Sequence, residues 1–184
     1  MSEPKRRMGG AALWLILGLL QTTPVLARGD YFIHREIEAR IAAEEKLRDA
    51  RIEVHVEERL VVLTGQVRLY EQKLISDRVA WTTPGVVEVD NEIRVVPKLP
   101  MSDAAIERKI REIVKSDERF RDAQLVVRVN SGEVILKGSF VGYRDPSILK
   151  HQVAEIEGVV KIEISAAFPA YLGARRDMMG SHAG

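Results

Sequence analysis

Displaced by 73 residues, the sequence aligns with itself over 31–97 and 104–170 without a gap, and 17 of the 67 pairs are identical. Nothing else in the chain restricts the fold as much, because whatever forms has to be something that can be built twice. The identities fall where structure is punctuated. Ile33 and Ile37 recur as Ile106 and Ile110, and Arg48-Asp49-Ala50 recurs as Arg121-Asp122-Ala123. Val54, Val56, Val61 and Leu63 return as Val127, Val129, Val134 and Leu136. Gly65, Tyr70, Ile75 and Gly85-Val86-Val87 return as Gly138, Tyr143, Ile148 and Gly158-Val159-Val160. Modules of this size can fold alone but bury proportionally little surface, so each core must be modest.

Within each copy the apolar residues first recur at helical spacing: Ile33, Ile37 and Ile41, then Ile106, Ile110, Ile113 and Val114. Two stretches of alternating pattern follow, Ile52-Val54-Val56 with Val61-Leu63, and Leu125-Val127-Val129 with Val134-Leu136. Glu57-Glu58-Arg59 and Asn130-Ser131-Gly132 lie between them, which makes each pair a hairpin. The spacing then predicts a second helix over about Tyr70–Thr82 and Pro146–Ile156, with Asp145 capping and Pro146 at the first helical position. Gly85 and Gly158 end these helices at positions that favour positive φ. A third strand closes each copy, through Val87, Val89, Asn91, Ile93 and Val95 and through Val160, Ile162 and Ile164. The expected fold is α+β: two tandem αββαβ modules, each a three-stranded sheet packed on two helices.

Lys5-Arg6-Arg7, the apolar run Ala11–Leu20 and the ending Val25-Leu26-Ala27 have the layout of a signal peptide over residues 1–27, cleaved after Ala27. The run is too short for a bilayer-spanning helix unless it extends to Leu26 and stays as an anchor. Module one is expected over 28–97, a stiff linker with Pro97 and Pro100 at 98–101, module two over 102–169, and a disordered tail at 170–184. Outside residues 1–27 there are 25 basic and 26 acidic side chains, so the strongly basic footprint of a nucleic-acid binder is missing. With no cysteine, thiolate catalysis, cysteine-ligated zinc and an acylated N-terminal cysteine are excluded.

The phrases Leu63-Thr64-Gly65-Gln66-Val67 and Pro84-Gly85-Val86-Val87-Glu88-Val89-Asp90-Asn91-Glu92-Ile93, placed after the hairpin and after the second helix, resemble a BON domain. The second copy carries Leu136-Lys137-Gly138-Ser139-Phe140 and Glu157-Gly158-Val159-Val160-Lys161-Ile162 at the same places, with Ile164 where the first has Asn91. The resemblance implies small αββαβ domains of bacterial periplasmic or envelope proteins, associated with phospholipid surfaces and envelope integrity.

No catalytic constellation is visible, and the chain is read as no enzyme and as needing no cofactor. Gly65 and Gly138 lack any phosphate-loop spacing and read as strand-end glycines with positive φ. His34, His55, His151 and His182 show no metal-binding spacing, and Ser139 has no visible base. Glu44-Glu45, Glu57-Glu58 and Asp90/Glu92 read as solvated, and Trp81 as partly core. The candidate ligand-binding surface is Tyr143, Arg144 and Lys150, an aromatic with two cations that suits an anionic phospholipid headgroup. The expected function is a periplasmic module that binds anionic phospholipid or membrane surfaces and supports envelope integrity or stress tolerance. The alternative is a protein–protein adaptor in an envelope assembly; a hydrolase has only scattered polar residues behind it.

Overall fold

The computed structural model describes residues 25–99 and 101–168. The chain is α+β and consists of two tandem modules. Module one runs α1 (Val25–Ala43), β1 (Arg51–Glu57), β2 (Leu60–Val67), α2 (Tyr70–Trp81), β3 (Glu88–Asn91) and β4 (Arg94–Val95). Module two runs α3 (Asp103–Ser116), β5 (Gln124–Asn130), β6 (Glu133–Ser139), α4 (Asp145–Ala154) and β7 (Lys161–Ala167). The expected leader and tail lie outside the described residues, apart from Val25–Ala27, which begin α1.

Each sheet is a hairpin with the third strand added parallel to its second strand. One face is covered by the two helices. Ile33, Ile37, Val61, Leu63, Ile75 and Val79 close the first core, and Ile106, Ile110, Val134, Leu136, Leu149 and Val153 the second. A 3-10 turn after each first helix plugs the side of the core, with Leu47 and Phe120 at equivalent positions. The third strand of module one is interrupted. Asn91 turns its side-chain oxygen to the Ile93 amide and its nitrogen to the Lys73 carbonyl, so the ladder stops at Asn91 and resumes at Arg94. With Ile164 at that place, β7 runs unbroken.

Three local expectations need correction. Gly65 has φ +122°, but Gly138 is not in the positive-φ region. Its glycine is required by proximity instead, since a Cβ there would lie 1.9 Å from the Gln124 carbonyl oxygen. Asp145 is the first residue of α4 rather than its cap; its carboxylate accepts the Gly142 N–H at 2.8 Å. Trp81, expected partly in the core, keeps 51% of its surface in solvent.

The two ends of a module differ in kind. At the near end the hairpin turns, the second helix stops and the third strand starts; α3 begins here, whereas α1 begins at Val25 and reaches this end at Asp30. Asp30 ties this end together by accepting the Glu58 and Arg59 amides at 3.0 and 2.8 Å, while Val87 N–H donates to the Arg59 carbonyl. Asp103 does the same for Ser131 and Gly132, at 2.8 and 2.9 Å. These turns need such acceptors because Glu58, Arg59, Ser131 and Gly132 all take positive φ, leaving their amides outside the ladder. At the far end the second helix begins and the second and third strands finish.

Candidate binding surface

The far end of module one is docked on the near end of module two. Tyr70 and Leu74, from the first turns of α2, pack against partly buried and buried residues of the second core. The Tyr70 hydroxyl faces the backbone of Ile162 at the start of β7, and burial raises its phenol above the ordinary value. Polar contacts surround this apolar joint. Arg68 reaches Glu157 at 3.6 Å, and Lys46 reaches Glu155 at 3.5 Å while also pairing with the mostly buried Glu71. The hydrogen bond to Glu71 is the main reason that the Lys46 ammonium is held above its ordinary pKa. Glu157 also accepts the Lys98 amide at 2.7 Å, strapping the linker to the joint.

Tyr143 occupies in module two the position of Tyr70 in module one, and nothing among the described residues covers it. It is 75% exposed and lies against Phe168, ring centroids 4.7 Å apart. Val141 is exposed beside them in sequence, and Arg144, exposed at the N-cap of α4, makes no ion pair among the described residues. The three residues singled out from sequence are therefore split. Tyr143 and Arg144 share the far tip of module two, whereas Lys150 is half-buried in α4, six residues on from Arg144. At about 100° per residue that places it roughly 120° round the helix from Arg144. Phe168 and Val141 were not singled out; the signal available was their place two residues from Tyr143 and at the end of the third strand.

A second cationic surface was also missed, a groove of about 560 Å³ between α3, its following 3-10 turn and β5. Arg111 and Lys115 on its rim stand where module one has Glu38 and Ala42. Its arginines are engaged by carboxylates, Arg111 by Glu107 and Arg121 by Glu118, and Arg119 holds the Asp117 carboxyl well below the usual range. Only Lys115 on that rim is a cation without an ion pair among the described residues. That leaves the tip with the freer arginine and the exposed aromatics.

His34, His55 and His151 lie apart, the His151 Nδ1–H donating to the Ser147 carbonyl, and no group of three or more His, Cys, Asp or Glu among the described residues could hold a metal ion. Among the described residues no helix is long and apolar enough to cross a membrane.

The chain is thus a duplicated sheet-and-helix module with aspartates engaged in its turns and large apolar side chains exposed at its ends. The chain belongs to the BON domain family, whose model matches residues 33–97 and again 102–166. No curated protein matches it. Among solved structures it is similar to the C-terminal domain of CdsD, a structural protein of the type III secretion system of Chlamydia trachomatis, with 13% identity and a TM-score of 0.29 over 75% of this chain and 67% of that one. A further CdsD structure matches with the same identity and TM-score over 77% of this chain and 65% of that one. The chain thus spans about two thirds of the length of each.

Proposed function

We propose that this protein is a non-catalytic binding module of the bacterial periplasm, supporting envelope integrity or stress tolerance, and that its far tip engages an anionic phospholipid surface. The observation that supports this reading is the uncovered Tyr143. Its counterpart Tyr70 is used to dock, whereas Tyr143 stands in solvent with Phe168 and Arg144 beside it. Aromatic rings with a cation at their side suit the headgroup layer, and each cation gains about 1 kcal/mol near an anionic leaflet. Module two is also the less repelled half, with 11 basic and 11 acidic side chains over 101–169 against 10 and 13 over 31–97. Lys150 contributes as a flanking cation.

Binding of this kind is weak and screened within a Debye length of about 8 Å at physiological salt. The test is flotation of the chain beginning at Arg28 with phosphatidylglycerol-rich vesicles at low and moderate ionic strength. The parent should float at low salt, and Arg144→Glu with Lys150→Glu should not. A double variant that floats as well as the parent overturns the assignment. If neither floats at low salt, the adaptor reading takes its place; that reading draws on the same joint, which is an apolar protein–protein contact ringed by ion pairs.

A further inference from the structure

The two modules are stacked far end to near end, which among the described residues leaves two ends of the pair open: the near end of module one and the far end of module two. Both are apolar. At the open near end stand Tyr31 (63% exposed), Phe32 (68% exposed), Leu60, Trp81 and Val87. The fold does not require four of them, because module two has Ala104, Ala105, Glu133 and Ala154 in the places of Tyr31, Phe32, Leu60 and Trp81. At the open far end stand Tyr143, Phe168 and Val141. An array of repeats normally finishes in polar caps, and this one finishes in aromatic rings at both ends.

From these ends we infer that the protein assembles head to tail with copies of itself, the far tip of module two docking on the near end of module one in the next chain. The internal joint supplies the pattern. There Tyr70 meets the start of β7, and Lys46 and Arg68 meet the acids Glu155 and Glu157. Across chains Tyr143 meets the start of β3, flanked by Trp81 and Val87. Charges again oppose, since Arg144 on the tip faces an end that carries the exposed Glu57, Glu58 and Glu88. The contact pairs two different surfaces, so it does not close on itself in a dimer, and a stack lengthens with concentration. The assembly stands independently of lipid binding but competes with it for Tyr143: within a stack only the last tip is free.

The absence of native cysteine makes the test direct. Full-length chains carrying either Ser147→Cys, exposed in the first turn of α4 beside the tip, or Pro84→Cys, exposed between α2 and β3 at the near end, are treated with a short bis-maleimide, separately and mixed. The mixture should give a cross-linked heterodimer and nothing longer, each single variant should stay mostly uncrosslinked, and a chain carrying both substitutions should give a ladder. Homodimers of either single variant equal to the heterodimer, or no heterodimer at all, overturn the inference. Adding Phe32→Ser to the Pro84→Cys chain should reduce the heterodimer severalfold, and an undiminished yield also overturns it. Phe32→Ser alone, in the chain beginning at Arg28, leaves the tip intact, so its flotation reports on the lipid reading separately.

Discussion

Replacing Gly138 by alanine separates two reasons a strand can need glycine. The backbone there lies outside the positive-φ region, so no conformational strain attends a side chain. What stands in the way is the neighbouring strand. A Cβ at 138 would lie 1.9 Å from the Gln124 oxygen and 2.8 Å from its carbon, where ordinary contact starts near 3.4 Å. That oxygen belongs to backbone at the start of β5, whose register continues as Leu125 opposite Gly138, so it cannot rotate aside as a side chain would. Forcing packed elements apart costs about 1–3 kcal/mol. For a module of 60–100 residues each kcal/mol lowers the melting temperature by about 4–8 °C. Gly138→Ala should therefore melt module two roughly 4–24 °C early, and Gly138→Asn no less, because tolerance of positive φ brings no relief here. Gly65 meets both obstacles, a Cβ 2.0 Å from the Arg51 oxygen and φ +122°. Gly65→Ala should lose about 1–3 kcal/mol more from backbone strain. Thermal unfolding followed by circular dichroism reads both. A Gly138→Ala chain that melts with the parent refutes the close-approach argument.

Asp103→Ala removes a charged acceptor from two amides and should cost module two about 1.5–3 kcal/mol, read by urea unfolding. Lys46→Met, although it breaks a pair with a buried Glu71, should cost little more than the surface range of about 0–1 kcal/mol in the same assay, because Lys46 itself is half exposed. Tyr70 should ionise above the ordinary phenol range in a spectrophotometric titration, and that late step should vanish in Tyr70→Phe. Because its folded pKa is raised above 10.0, its contribution to the joint is complete below that pH and is lost as pH rises through the folded value.

The αββαβ order could be read from sequence because period and punctuation agree twice, and a pattern found in two independent copies is rarely accidental. What could not be read was whatever depends on distance between elements. Gly65 and Gly138 are one alignment column, yet they serve different backbone geometries and share only the carbonyl that presses on them. The Asp30 and Asp103 clamps were within reach: they are identical and one residue outside the aligned window, but a carboxylate such as Asp103 in the first turn of a helix also serves the helix dipole, so sequence alone does not reveal that it holds a hairpin. The break after Asn91 was half legible, since asparagine commonly bonds to backbone two residues on, as it does to Ile93. Of the site, Tyr143 and Arg144 could be found from residue type. Their exposure could not, because Tyr70 stands at the same place in the repeat and is docked.

The joint itself can be weighed through the linker that crosses it. Lys98 is exposed, and a protease that cuts after lysine must extend the chain around it, which requires the Lys98 and Leu99 amides to leave Glu157. Cleavage therefore reports how often the strap opens, provided reclosing is fast relative to cutting. Leu74→Ser gives module one the residue that module two carries at the equivalent position, Ser147, and strips the apolar side chain packed against the second core. A partly buried leucine lost this way weakens the joint by about 1–2 kcal/mol, which is a factor of roughly 5–30 in the open population. Trypsin cleavage after Lys98 should accelerate by that factor in Leu74→Ser, and by a smaller one in Glu157→Gln, whose amide can still accept the linker. Cleavage after Arg108, in the middle of α3 and remote from the joint, should not change. If Leu74→Ser leaves the Lys98 rate where it was, the modules are held by the linker alone, and the docked Tyr70 loses its standing as a guide to what Tyr143 does.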